Sequence, residues 1–168
     1  MVQPELTSCR LLAFRVAQLP CAIDVDSVSE ILTIPLLARP PTTPAILEGF
    51  LNLAGTAVPV LRLDRLFGLP EQPIGIYTPL IVLRASAVLA ALLVDGIDEV
   101  ITLSDSTFAP LDDSHSFNGC AKAVVQTGGG PLHLLSIERL LLEQERLCLQ
   151  QCQSAEQLRL QRLAEAHA

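Results

Sequence analysis

The chain holds five cysteines and three histidines, the residue types most often recruited for nucleophilic, redox and metal chemistry. Cys148 and Cys152 stand four apart on a stretch that reads as helix, so they share a face. A zinc site would need further ligands, and no histidine sits at a matching spacing. Cys9, Cys21 and Cys120 are isolated, and an odd count without paired spacings makes no disulfide framework. Free thiols, buried or half-buried, are the expected state. His115 lies in an acidic, serine-containing run, Asp112-Asp113-Ser114-His115-Ser116. Neighbours on one loop do not converge as a Ser/His/Asp triad must. His133 falls in a strand candidate and His167 in the tail. Gly128-Gly129-Gly130 leads into Pro131 and a strand, not into a helix N-terminus, so it reads as a hairpin turn and not a phosphate cradle. No acidic twelve-residue loop suits calcium. Nothing in the sequence argues for a catalytic group, a metal site or a cofactor site.

The elements that carry these residues belong to a folded chain. Half of its 168 residues are hydrophobic and 17% are charged, which excludes a disordered polymer and suits one or two domains. Net charge is −7, and Lys122 is the only lysine beside ten arginines. A nucleic-acid binder needs a dense basic footprint, which is missing. Six acids and no Lys or Arg lie between Ala85 and Ala121 (Asp95, Asp98, Glu99, Asp105, Asp112, Asp113). Solvated loops and strand edges are the expected setting; the alternative is a docking surface for a basic partner. The longest apolar stretch, 80–94, is broken by Arg84 and Ser86 and falls short of the ~20 residues that span a bilayer. The N-terminus lacks the basic start and apolar run of a signal peptide. The expectation is a cytoplasmic protein with no direct membrane insertion.

Short apolar runs alternate with turn residues through the first half. Strands are expected at 11–16 and 21–25, a helical turn at 26–30 with Asp26 as its N-cap, and a further strand at 31–37. Pro35, Pro40, Pro41 and Pro44 punctuate a loop. Runs 49–53 and 56–63 form a hairpin around Ala54-Gly55, and Pro59 marks an edge or a bulge. Residues 68–78 read as a linker. The second half then repeats the first. Leu11-Leu12-Ala13-Phe14-Arg15 matches Leu80-Ile81-Val82-Leu83-Arg84 at an offset of 69, and residues 22–34 match 91–103 at the same offset. Residues 58–66 match 132–140 at an offset of 74. Three matches in one order imply two similar β subdomains of about five short strands each, as small barrels. From 137 to 166 there is neither Gly nor Pro, and the stretch reads as helix with poor heptad phasing.

These residues resemble the CheW-like family of bacterial chemotaxis adaptors. Val28-Ser29-Glu30-Ile31 is similar to the family's valine-x-glutamate-isoleucine segment. The run from Ile46 through Gly49, Asn52-Leu53-Ala54-Gly55 and Val58-Pro59-Val60 is similar to its glycine, asparagine-leucine-arginine-glycine and valine-proline-valine signature. Leu92-Leu93-Val94-Asp95 is similar to its second-subdomain run. The resemblance covers 11–142. It implies a mainly β fold of two small five-stranded β-barrel subdomains in one CheW-like domain, with an apolar core between them. Residues 1–10 are a lead-in, the barrel halves span about 11–70 and 79–142 with room to intertwine, and 143–168 are a C-terminal helical extension.

The resemblance also implies a non-catalytic scaffold that needs no cofactor. Its partners would be a chemoreceptor cytoplasmic tip and the regulatory domain of a CheA-type histidine kinase, at receptor arrays on the inner membrane. Val28, Glu30, Asn52, Ala54 and Gly55 map to the receptor-facing surface. Leu111, Phe117 and Val124 are the kinase-facing candidates, chosen as apolar residues of the second barrel. Two departures stand out. Ala54 replaces the family's usual arginine, which leaves Glu30 without its expected partner. Arg62-Leu63-Asp64 replaces aspartate-leucine-arginine, and alternate strand residues share a face, so these two can pair with polarity reversed. A divergent adaptor is the leading reading, with type IV pilus motility as one setting. A degenerate single-partner module that caps or inhibits an array is the second. A small-ligand sensor or enzyme with an interbarrel pocket is the third.

Overall fold

The computed structural model describes residues 8–84, 89–104, 108–110, 120–141 and 143–167. The strands are β1 (Ser8–Val16), β2 (Leu19–Asp24), β3 (Val28–Thr33), β4 (Leu47–Leu53), β5 (Thr56–Arg62), β6 (Pro79–Leu83), β7 (Ala91–Leu93), β8 (Gly96–Ser104), β9 (Phe108–Pro110), β10 (Ala121–Thr127) and β11 (Gly130–Leu135). One helical turn, α1 (Leu63–Leu66), follows β5, and a 3-10 turn (Ile137–Arg139) follows β11. The long helix α2 (Glu143–Ala166) ends the chain.

The strands form a six-stranded sheet, β8-β1-β2-β11-β10-β9, and a five-stranded sheet, β3-β6-β7-β5-β4. Each sheet takes strands from both halves of the sequence. The repeat is preserved pair by pair. Leu11↔Asp24 and Ala13↔Ala22 between β1 and β2 correspond to Leu80↔Leu93 and Val82↔Ala91 between β6 and β7. The parallel pair Leu134↔Ala22 corresponds to Val60↔Ala91.

Neither ladder closes into a barrel among the described residues. Beyond β3, Ala38 returns to β4 through one two-bond bridge with Phe50, at 2.9 and 2.8 Å. In the other sheet β9 holds the corresponding place against β10, which accounts for its sixth strand. The bridge needs Gly49, because a Cβ there would lie 2.7 Å from the Ala38 carbonyl oxygen.

Alternate strand residues point to opposite faces, and this period sorts the apolar residues into three cores. Leu11, Ala13, Ala22, Leu132 and Leu134 fill the first sheet's own core. Leu80, Val82, Ala91, Leu93, Val58 and Val60 fill the second's. Leu12, Phe14, Cys21 and Ile23 face Leu61, Ile81, Leu83 and Leu92 in a core shared by both sheets, which α1, Leu140 and Leu149 complete. Strands buried on both faces read as continuous apolar runs. That is where the hydrophobic half of the composition goes.

Three local expectations are corrected. The helical turn is a 3-10 turn at Val25–Ser27, and its cap is Asp24, which accepts from the Asp26 amide at 3.0 Å. Val28, Ser29 and Glu30 are already in β3, because pairing with β6 overrides the local helical tendency. The helix expected from 137 begins at Glu143, because the preceding turn and Leu140 are drawn into the shared core as α1 is after β5.

Pro59 lies inside the sheet, yet at a local edge. It pairs with Phe50 of β4, while β7 pairs with β5 only from Val60 onward. The proline therefore withholds no ladder hydrogen bond.

Candidate functional site

Asn52, Ala54 and Gly55 come together at the β4–β5 hairpin. The two-residue turn has φ of 49° at Ala54 and 89° at Gly55, as a type I′ hairpin requires. Gly55 has open space around its Cα, so its requirement is purely conformational. The Asn52 side-chain oxygen accepts from the Gly55 amide at 2.9 Å and holds the turn shut. Ala54 is exposed and its methyl group presents no charge.

Val28 and Glu30 sit on β3, at the other end of that sheet's strand order. Val28 packs against the shared core, and Glu30 is exposed. Among the described residues Glu30 makes no ion pair. Val124, on β10, is half-buried opposite His133 of β11 and Ala109 of β9. Leu111 and Phe117 lie outside the described residues.

Arg62 and Asp64 form a bidentate ion pair, with Nε to Oδ1 at 3.1 Å and Nη2 to Oδ2 at 2.7 Å. Arg62 ends β5 and Asp64 lies in α1, so a strand-to-helix corner joins them instead of one strand face. Each is 3% exposed, which leaves neither open to a partner. The corner explains why the charges stand this way round. Glu48 at 3.4 Å, Glu71 at 3.1 Å and the Gln72 carbonyl at 2.7 Å surround the guanidinium. The backbone amides of Arg65 and Gln72 donate to the carboxylate at 2.8 and 3.0 Å. Position 62 thus favours a cation and position 64 an acceptor. Burial pushes the Asp64 carboxyl up, but the Arg62 hydrogen bonds and the two amides outweigh it and hold its pKa below the usual value. Arg62 is held above its usual value, by its hydrogen bond to Asp64 first. Arg39 on Glu48 and Arg65 on Glu71 extend the network outward. It pins the segment after α1 to the sheet and leaves the linker's turn at Ile76 and Tyr77 exposed.

The acidic stretch is partly engaged. Asp95 accepts from the Gln18 amide, and Asp98 pairs with Arg15 at 3.1 Å on the surface. Asp105, Asp112, Asp113 and His115 lie outside the described residues. The ring of His133, a residue of β11, meets the carbonyl of Pro20 on β2 at 3.2 Å. Cys21 and Cys120 are buried, Cys9 and Cys152 half-buried, and Cys148 is exposed, unlike the expectation for the set. Burial, and Asp95 after it, push the Cys21 thiol up to about 12. Burial, and Glu145 after it, push Cys120 up to about 11. Neither is a nucleophile at neutral pH. Among the described residues no three His, Cys, Asp or Glu side chains group as metal ligands. No helix among them is long and apolar enough to cross a membrane.

One neighbour of the hairpin is not announced by the sequence. Gln157 of α2 donates to the Gly55 carbonyl at 2.9 Å and accepts from the Ala57 amide at 2.9 Å. Gln153 donates to the Ala57 carbonyl at 3.3 Å. The only signal is a pair of amides four residues apart on one helix face.

The arrangement is therefore a packed double-sheet body with surface turns and strands to offer. A family model described as the CheW-like domain matches residues 10–145. "Chemotaxis protein CheW" of Thermotoga maritima is 26% identical over 140 residues, covering 82% of this chain and 91% of that protein. "Chemotaxis protein CheW" of Rhizobium meliloti is 25% identical over 138 residues, covering 81% and 89%. The crystal structure of scaffolding protein TtCheW from Thermoanaerobacter tengcongensis shares the fold. It has a TM-score of 0.74 and 20% identity, over 83% of this chain and 96% of that one. With its repeat, its hairpin signature and a family model spanning most of its length, the chain belongs to the CheW-like domain family.

Proposed function

We propose that this chain is a non-catalytic adaptor of bacterial chemosensory signalling that couples a chemoreceptor cytoplasmic tip to the regulatory domain of a CheA-type histidine kinase. The observation that carries the reading is the CheW-like domain over residues 10–145, built as two sheets around a shared core. The receptor-facing surface comprises Val28, Glu30, Asn52, Ala54 and Gly55, of which Glu30 and the hairpin residues Asn52, Ala54 and Gly55 are exposed. The kinase-facing surface comprises Val124 of β10, with Leu111 and Phe117 carried over from the sequence. The setting is the cytoplasm, at receptor arrays on the inner membrane. A binding role suits the chemistry, since the buried thiols are raised out of reactive range and the interior between the sheets is apolar. The same packed interior speaks against a ligand pocket between the sheets.

A second reading is favoured by Ala54. An exposed alanine stands where the family resemblance places arginine, and Glu30 has no ion-pair partner among the described residues. The chain would then bind the kinase and cap or inhibit an array. Two calorimetric titrations decide, one against the cognate kinase regulatory domain and one against a receptor tip fragment. Binding of both supports the coupling adaptor. Kinase binding alone supports the capping module, and binding of neither overturns both.

A further inference from the structure

We propose that α2 is a cover held in cis along the Gly55–Ala57 edge of the β4–β5 hairpin, displaced when a partner engages that turn. This rests on the reading above that the hairpin faces the receptor. All but the first three residues of α2 lie beyond the family-matched stretch 10–145. The helix nevertheless docks beside that turn, on the Gly55 carbonyl and on Ala57, and leaves Asn52, Ala54 and Gly55 exposed.

The docking is polar. Where β7 does not reach the first residues of β5, the Gln157 amide takes the place of a neighbouring strand, giving to Gly55 and receiving from Ala57. Gln153 adds one bond to Ala57. Water can replace each of these neutral bonds, so each holds little net. Apolar anchoring is thin: Leu149 is buried, and Cys152 and Leu160 are partly so. Leu147 and Leu158, three turns apart, point outward instead. Between the two glutamines lies Glu156, a carboxylate only 8% exposed whose ion pair with Arg159 is long, at 3.8 Å. The last turns do not close on the hairpin. Leu160, Leu163 and Ala164 face Asn52 and Gly55 across a cleft of about 430 Å³, and Leu163 stays 50% exposed. This opening gives a partner a place to start.

The test compares the full chain with the full-length double variant Gln153→Ala, Gln157→Ala. Each is titrated with a soluble receptor tip fragment, and amide hydrogen exchange is followed across Gly55–Ala57 and α2. Unchanged affinity for the kinase regulatory domain shows that the variant is folded. The proposal predicts that α2 loses protection when the fragment binds, and that the variant binds it about tenfold more tightly, the equivalent of 1.4 kcal/mol. Binding by the variant alone also supports it. Equal affinities, with α2 protected in the complex, overturn the cover and leave the receptor reading standing. A fragment that binds neither protein overturns the receptor reading, and the cover with it.

Discussion

Replacing Arg62 with methionine leaves the Asp64 carboxylate buried beside the Arg65 and Gln72 amides, with its guanidinium gone. Removing one partner of a buried ion pair costs about 3–5 kcal/mol. Glu48 and Glu71 lose the same cation, which keeps Arg62→Met at the upper end of that range. Asp64→Asn is milder. The guanidinium keeps Glu48, Glu71 and the Gln72 carbonyl, and the asparagine oxygen still accepts. Its cost is about 1–3 kcal/mol, that of poorly satisfied buried groups. The pH dependence follows from the direction of the shift. Asp64 titrates below its usual value in the fold, so the stability it adds is complete above the unfolded value of about 3.9. That stability is lost as pH falls through the lower folded value. Without Arg62, burial prevails and the carboxyl titrates high, so acidification relieves the variant. The gap between wild type and Arg62→Met is therefore widest at neutral pH and narrows on acidification, first as the variant's raised carboxyl protonates and then as the wild type falls through its lowered value. Urea unfolding at pH 7 and at pH 3.5 measures it. An Arg62→Met cost under 1 kcal/mol at pH 7 would refute the reasoning, as would a cost smaller than that of Asp64→Asn.

Gly49→Ala drives a Cβ to 2.7 Å from the Ala38 carbonyl oxygen. It should cost about 1–3 kcal/mol and speed exchange of the Ala38 and Phe50 amides, read by urea unfolding and hydrogen exchange. Iodoacetamide at pH 8 should label exposed Cys148 first and leave Cys21 and Cys120 unmodified in the folded chain, whose thiols stand at about 12 and about 11. Mass mapping of the labelled peptides checks this. Ala54→Arg restores a cation at an exposed turn position and should raise affinity for a receptor tip fragment at unchanged kinase affinity, which calorimetry measures.

The repeat is the part of the fold most legible in the sequence. Offsets of 69 and 74 gave equivalent strands, and the pairings Leu11↔Asp24 and Leu80↔Leu93 keep those offsets. What the offsets do not carry is which strands pair across the halves, because similarity establishes equivalence and not partnership. Hence β11 beside β2 and β7 beside β5 were not readable. Asp24 and Asp26 both offer a capping carboxylate, and only the backbone path selects Asp24. The leucines of α2 do not mark one inward face. Leu147 and Leu158 point out while Gln153 and Gln157 point in, because the free edge of β5 offers backbone polar groups to be satisfied. The charge order at positions 62 and 64 was visible, but its reason lies in Glu48, Glu71 and Gln72, which only the folded corner brings together.

The central claim is that this CheW-like domain joins two proteins at once. Sedimentation velocity of the full chain with its cognate kinase regulatory domain and a receptor tip fragment tests it most directly. The account predicts a ternary boundary that sediments faster than either binary mixture. A mixture in which each component sediments as it does alone would contradict it.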